Sequence, residues 1–406
     1  MDVELSPQQK EDRAAFRHFA RREIAPGADR FDREESFPAE LVREMAARKY
    51  LGAILPPAWG GAGMDMITYG LLNEEVGGVC SSARSLITVH DMVAYAILKW
   101  GSAAQKERWL PRLASGESIA AFAVSEPNVG SDAKGVETTA RGSGGSYRLD
   151  GVKRWITFGQ VADLFLVLAS CEGGPTAFLV ERGRAGLSAT PMRGLLGVRA
   201  SMLAEVRFEG CEVPAESLVG RKGFGLLSVA STALGLGRYS VAWGCVGIAE
   251  ACLRACVEYA GARRQFGAYL KEHQLVRQML SDMTVNAKAA RLLCCQAGCL
   301  KEAGDPREAM ETFVAKYFAS RAAMAAASDA VQIHGANGCG AGFPVQRYFR
   351  DAKIMEIIEG SNQIQQLTIA DYSFQEHVRQ AQEAEAFGAV GRPESGRASG
   401  RGRGER

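Results

Sequence analysis

The sequence predicts an α+β chain built in three parts: a helical segment at residues 1–118, a β segment at 119–222 and a helical bundle at 223–380. Three observations carry this reading. Apolar residues recur at helical spacing in the first and third parts. The middle part changes to short apolar or alternating runs separated by Gly and Ser. The length, 406 residues, allows two or three domains and a large core.

Taken in order, Ser6-Pro7-Gln8-Gln9 supplies a cap residue, Pro at the first helical position and Gln at the third. The helix that follows carries Phe16, Phe19 and Ala20 on one face. Leu41, Met45 and Ala46 predict a second helix after Pro38. The run from Pro56 to Gly63 is a loop, because Pro and Gly interrupt regular structure. Helical patterns resume through Leu71-Leu72, Met92–Trp100 and Gln105–Leu113. In the middle part, Ile119–Val124, Leu164–Leu168, Ala177–Val180 and Val206–Phe208 read as strands. Asp150-Gly151, between Tyr147–Leu149 and Val152–Thr157, reads as the two-residue turn of a hairpin. In the third part, Cys245, Ile248, Cys252, Cys256 and Tyr259 mark one long helix. Val276, Met279, Met283, Ala290 and Leu293 mark a second, ended by Gly304. A third starts at Asp305-Pro306-Arg307-Glu308 and a fourth follows Glu359; several long amphipathic helices in succession imply a bundle. Residues 381–406, rich in Gly, Ser and Arg with no apolar face, are expected to form a disordered tail.

Composition excludes some classes of function. A formal net charge of +2 implies no general attraction to nucleic acid or to a membrane surface. No apolar run approaches the roughly 20 residues of a spanning helix. The N-terminus lacks the apolar core of a secretory signal, so a cytoplasmic protein is expected. None of the ten cysteines forms a C-x-x-C pair, and Cys245, Cys252 and Cys256 fit small core positions. The five histidines show no ligand spacing, so no metal site is expected.

The chemistry concentrates at Glu359. It follows the apolar pair Ile357-Ile358 and precedes Gly360-Ser361, with Ser361 placed to cap a helix carrying Ile364 and Leu367. Poor solvation beside the two isoleucines would raise the carboxyl pKa, which suits a general base. A surface Glu in a turn is the alternative.

Three motifs resemble the acyl-CoA dehydrogenase family. Ala123–Asp132 (AVSEPNVGSD) resembles its first hallmark, and Arg263-Arg264-Gln265-Phe266-Gly267 its R-K-x-F-G element. Gln332–Gly338, Arg350–Lys353 and Glu359–Ser361 resemble its second hallmark. The matches fall in family order over roughly residues 5–375. The resemblance implies an N-terminal helical domain, a central β-barrel or sandwich and a C-terminal four-helix bundle. It also implies non-covalent FAD and a homo-oligomer, a tetramer or dimer. Phe122, Val124, Ser125, Gly130 and Ser131 match the loop along the flavin and thioester, and Trp155 and Thr157 the pair flanking the ring. Ser361 and Gln363 match further cofactor contacts. Arg263, Phe266, Gln274, Gln332 and Gly335 match contacts to the FAD of a neighbouring subunit. Glu359 matches the base, with Arg238, Ser131 and Gly360 at the substrate. Branches with the base near residue 237 are excluded by Gly237.

Departures refine the expectation. Gly235 stands where members acting on CoA esters often have Asp, Ile358 where Tyr usually precedes the base, and Ala336 where Gly is usual. Arg84 interrupts an otherwise apolar segment, at the position where glutaryl-CoA dehydrogenases meet a distal carboxylate. A buried guanidinium needs a polar or anionic partner, either substrate or an internal one such as Glu74 or Glu75. The stretches Cys80–Ser85, Gly237–Ile248 and Met355–Ser361 are similar to dehydrogenases of polyketide extender-unit pathways, which act on acyl-carrier-protein-bound C3 units of hydroxymalonyl or methoxymalonyl type. In that group an aldehyde hydrate would give its hydroxyl proton to Glu359 and its C3 hydride to flavin. Short-chain acyl-CoA or glutaryl-CoA dehydrogenation is the alternative, and an electron-transfer flavoprotein is the family's usual acceptor.

Overall fold

The computed structural model describes residues 4–390, with side chains described to residue 380. Six helices open the chain: α1 (Pro7–Phe19), α2 (Ala28–Glu34), α3 (Ala39–Ala47), α4 (Met66–Gly77), α5 (Ser81–Trp100) and α6 (Ala103–Ala114). Ser6 and Gln9 form the capping box that starts α1. Asp65 caps α4 by accepting from Thr68 N, and Ser102 with Gln105 repeats the box at α6. Phe16 and Phe19 meet Tyr50 edge-on, which fixes α1 over the loop after α3.

Strands β1 (Ala120–Ala123), β2 (Thr139–Ser143), β3 (Ser146–Ile156), β4 (Leu164–Cys171), β5 (Gly174–Glu181), β6 (Leu187–Pro191), β7 (Ala204–Pro214) and β8 (Leu218–Val219) form one mixed sheet. Its order is β6-β7-β3-β2-β4-β5-β8, and β1 lies parallel to β4. Both faces of β4 are buried. Leu164 and Leu166 pack with Met92, Ile97 and Trp109 of α5 and α6. Phe165 and Val167 pack with Leu149, Val206 and Phe208, so the sheet wraps round a core of its own.

The expected hairpin at Asp150-Gly151 is corrected: β3 runs straight through it. The turn lies earlier, where Gly144 (φ +53°) and Gly145 (φ +92°) join Ser143 to its partner Ser146. Asp150-Gly151 instead forms an irregularity in the β3–β7 ladder. Gly151 sits at φ +150°, and a Cβ there would lie 2.5 Å from Thr138 Oγ1. The Asp150 carboxylate accepts from Gly210 N at 2.6 Å. Asp-Gly is thus spent on a bulge, which local sequence does not distinguish from a turn.

A π-helical stretch, Gly225–Ala230, leads into α7 (Ser231–Ala262). The two-residue strands β9 (Arg264–Gln265) and β10 (Ala268–Tyr269) precede α8 (Gln274–Glu302), α9 (Glu308–His334), α10 (Val345–Met355) and α11 (Asn362–Val390). Helix α9 packs against α7, α8 and α11, which makes the four-helix bundle. Helices α4 and α5 pack on α7 and join the first part to the last. Contrary to the hydropathy reading, the continuous helix from Gly225 to Ala262 is long and apolar enough to cross a membrane, but most of its apolar stretch is buried inside the fold. Cys245, Cys252 and Cys256 are buried, unpaired thiols of that helix. The expected disorder from residue 381 is also corrected, since α11 continues to Val390; the rest of that expectation lies outside the described residues.

Candidate active site

Glu359 occupies the corner between α10 and α11. Its backbone is left-handed (φ +56°), an arrangement that costs a β-carbon residue about 1–3 kcal/mol unless its surroundings hold it. Three side chains do so. Arg238 Nε on α7 donates to Glu359 O at 3.1 Å. Gln365 Nε2 donates to Gly360 O at 2.9 Å, and Lys316 Nζ on α9 donates to the same oxygen at 2.8 Å. Ser361 Oγ accepts from Ile364 N at 3.4 Å, as its cap position predicts.

The carboxylate points inward. Oε2 is shut off from solvent and has no hydrogen-bond partner among the described residues. It lies against Gly237, where a Cβ would stand 2.8 Å from Oε2 and 2.7 Å from Met92 Sδ. Burial therefore raises the Glu359 pKa above the usual carboxylate range, against the opposing pull of Arg238, Arg84 and Lys316. The shielding does not come from Ile357, as the sequence suggested, because Ile357 is 55% exposed. It comes from α5 and α7. Gly237 is also more than a missing rival: any side chain there would take the space that Glu359 fills.

Arg84 is 1% exposed on α5. Nη1 donates to Thr88 Oγ1 at 3.0 Å, and Nη2 reaches Ser85 Oγ at 3.2 Å and Met355 Sδ at 3.3 Å. Nε has no partner. The internal ion pair with Glu74 or Glu75 is not formed. Glu74 pairs with Arg13 and Arg291, both at 2.6 Å, and Glu75 pairs with Arg13 and Arg17, both at 2.8 Å. The guanidinium fits because Gly244 faces it; a Cβ there would lie 3.0 Å from Arg84 Cδ and Nε. Burial lowers its pKa, while Cys245 and Glu359 act in the opposite sense. A guanidinium this buried, with no carboxylate paired to it among the described residues, calls for an anion or a strongly polar group to answer its charge.

The loop after β1 is held from below. Lys153 and Glu126, both buried, pair at 2.7 Å, and Lys153 Nζ also donates to Val124 O at 3.1 Å. The Glu126 carboxylate accepts from Glu137 N and Thr138 N at 2.6 and 2.8 Å. Arg154 N donates to Ser125 O at 2.8 Å, which lays the loop beside the end of β3. Trp155 there is 51% exposed at φ +64°. Phe122, Val124, Ser125 and Thr157 are half-buried, while Gly130 and Ser131 are exposed with open space over Gly130. An exposed indole, three hydroxyls and open ground suit a flat ring with a polar edge, so these residues fit the isoalloxazine of FAD.

The structure gathers Glu359, Gly360, Ser361, Arg238 and Arg84 at one corner of the bundle. It does not bring Arg263, Phe266, Gln274, Gln332 and Gly335 there. Arg263 follows the end of α7, 25 residues beyond Arg238, which is about 37 Å along a helix. The five are exposed at that other end, where Phe266 is 97% exposed at the β9–β10 turn. Gln363 is exposed on the first turn of α11. Sequence reasoning missed Lys316, Gln365 and Met92. Lys316 left a signal: one ammonium among Phe313, Val314, Ala315, Phe318 and Ala319.

Comparison with known proteins agrees along the length of the chain. Family models described as the N-terminal, middle and C-terminal domains of acyl-CoA dehydrogenase match residues 6–117, 121–211 and 223–374. The short-chain specific acyl-CoA dehydrogenase of Mus musculus mitochondria is 39% identical over 376 residues, 91% of each chain. Butyryl-CoA dehydrogenase from Megasphaera elsdenii superposes with a TM-score of 0.89 at 34% identity, covering 92% of this chain and all of that one. FkbI, a protein for biosynthesis of the methoxymalonyl extender unit of a polyketide, superposes with a TM-score of 0.82 at 32% identity, covering 90% and 99%. With all three family domains matched in order, and relatives of this identity over nine-tenths of its length, the chain belongs to the acyl-CoA dehydrogenase family.

Proposed function

We propose that the protein dehydrogenates a short acyl thioester with a polar or anionic distal group, carried by an acyl carrier protein, and that Glu359 is the base. The observation that carries this reading is Arg84: a guanidinium 1% exposed, without a carboxylate partner among the described residues, in the electrostatic reach of Glu359. An alkyl chain ending there would leave the charge buried and unanswered, at a cost of several kcal/mol. A carboxylate or hydrated aldehyde would answer it. FAD is the family's cofactor and supplies the hydride acceptor.

The chain's own groups divide the remaining work. Glu359, raised in pKa by burial, accepts the substrate proton on Oε2, which no other group occupies. Arg84 orients the distal end of the acyl group. Gly360 and Ser131 line the thioester, and Arg238 holds the Glu359 carbonyl. Trp155, Thr157, Phe122, Val124, Ser125, Gly130, Ser361 and Gln363 hold the flavin of the same chain. Arg263, Phe266, Gln274, Gln332 and Gly335 serve the flavin of a second subunit; their distance from Glu359 supports this, and it requires a homo-oligomer. The electron acceptor is an electron-transfer flavoprotein.

A second reading rests on the mouse and Megasphaera relatives: a plain short-chain acyl-CoA as substrate. Similarity to FkbI and the open space at Gly235 favour the carrier-bound polar acyl group. Anaerobic flavin bleaching decides between them, with one polar C3 acyl group presented on carrier protein and on CoA, and butyryl-CoA as reference. Faster bleaching by the carrier-bound polar group supports the first reading. Preference for butyryl-CoA replaces it with the second.

A further inference from the structure

Helix α9 carries an ammonium into the middle of the helical core. Lys316 is fully buried, and among the described residues no carboxylate forms an ion pair with it. Its Nζ spends its bonds on the chain just after Glu359: 2.8 Å to Gly360 O and 3.2 Å to Asn362 Oδ1. Ser320, one turn further along α9, donates to the same Asn362 oxygen at 2.9 Å. Asn362 N is tied back to Glu356 O at 2.9 Å. The corner is thus pinned to α9 on both sides of Ser361.

The corner needs pinning. Glu359 and Gly360 are consecutive left-handed residues, with φ of +56° and +90°. Without the ammonium, the Gly360 carbonyl would keep the Gln365 amide alone. A small rotation there would swing the carboxylate off its place against Gly237.

Carbonyl oxygens hold the ammonium without cancelling its charge. The groups that face it are Cys245 and Arg238 on α7 and Glu356 and Glu359 at the α10–α11 connection. Glu356 is drawn off by Lys353 at 2.8 Å. The field of Lys316 therefore falls on Glu359 from α9, as that of Arg238 does from α7 and that of Arg84 from α5. Burial opposes ionisation of Glu359, and these three cations act against that effect by favouring the carboxylate.

We infer that Lys316 is the positioning residue of this site, fixing the place of Glu359 through the Gly360 carbonyl and sustaining its ionised form through an unneutralised charge. The inference rests on Glu359 being the base. Burial lowers Lys316 itself to about 8, so it carries its proton at neutral pH.

The test uses the FAD-loaded protein and three variants. Lys316→Met removes charge and donor, Lys316→Gln keeps a donor without charge, and Lys316→Arg keeps the charge. Anaerobic flavin reduction is followed against pH, and the Glu359 carboxyl is titrated without turnover by infrared difference spectroscopy, assigned with Glu359→Gln. Loss of the cation disfavours the carboxylate, so the acidic limb of the rate and the carboxyl titration both move to higher pH in Lys316→Met and Lys316→Gln. At about pH 6 reduction falls roughly 10²-fold in Lys316→Met, the scale of a displaced base. Lys316→Arg returns the limb towards its original position. Acidic limbs and carboxyl titrations unchanged in both uncharged variants would overturn the inference, and Lys316→Gln carries the test if Lys316→Met does not fold. Full flavin reduction by Glu359→Gln would instead remove the reading on which it rests.

Discussion

Adding one methyl group at Gly237 tests the placement of Glu359 directly. In Gly237→Ala the new Cβ would stand 2.8 Å from Glu359 Oε2 and 2.7 Å from Met92 Sδ. Ordinary contact begins near 3.4 Å, so the carboxylate must retreat by about 0.6 Å and the sulfur by slightly more. Both are parts of flexible side chains. Overpacking of this kind costs about 1–3 kcal/mol, and Ala regains about 1 kcal/mol over Gly inside a helix. Net destabilisation should stay near 1 kcal/mol. The catalytic cost is larger, because displacing a reacting group by about 1 Å costs on the order of 10²-fold. Gly237→Ala should therefore keep its FAD, unfold within a few degrees of the parent and reduce its flavin roughly 10²-fold more slowly. Stopped-flow bleaching, flavin content and thermal unfolding measure the three quantities. Reduction at the parental rate in a folded variant would show that Glu359 does not work from this position.

Further outcomes follow from the same packing. Glu359→Gln should abolish flavin reduction with FAD still bound, which bleaching and the visible spectrum check together. Arg84→Met should lower kcat/KM for a polar C3 thioester by about 10²-fold or more, leave butyryl thioester much less affected and cost little stability, since an unpaired buried charge is removed; equal losses on both substrates would count against a distal polar contact. Lys153→Met should leave Glu126 buried and unpaired, cost about 3–5 kcal/mol and loosen the loop carrying Ser125 and Ser131, read as weaker FAD retention and a lower unfolding midpoint. His90 donates from Nε2 to Leu113 O at 3.0 Å, accepts from Ala120 N at 3.3 Å, and burial lowers its pKa from 6.5 to about 4. The unfolded chain takes up that proton first. The contribution of His90 to stability is therefore fully present above about pH 6.5 and is lost, by roughly 3 kcal/mol, as pH drops to about 4, while His90→Gln should flatten that part of a urea-midpoint profile.

Much of this protein was legible along the chain. The capping box at Ser6, the helical spacing of Cys245, Ile248 and Cys252 and the apolar run at Leu164–Leu168 each report a local preference that the fold keeps. The motifs singled out Glu359 and the loop at Ser125–Ser131 for a similar reason: the base and flavin loop proposed there would each need particular residues at particular places. Asp150-Gly151 was misread because a bulge and a turn ask for the same left-handed Gly, and only the partner strand β7 distinguishes them.

What the sequence by itself determined is the order of helical and β parts, the family and the position of the carboxylate proposed as base. The tertiary structure decided how that carboxylate is surrounded. Its shield comes from Gly237 and Met92, on helices more than a hundred residues away, and not from the neighbouring Ile357. Its cations come from α5, α7 and α9. Arg84 was visible as an odd residue, but its lack of an ionic partner became clear only once Glu74 and Glu75 were seen to be taken by Arg13, Arg17 and Arg291. Desolvation and electrostatic fields are sums over everything that packs within a few ångströms, and in a bundle most of those neighbours are remote in sequence.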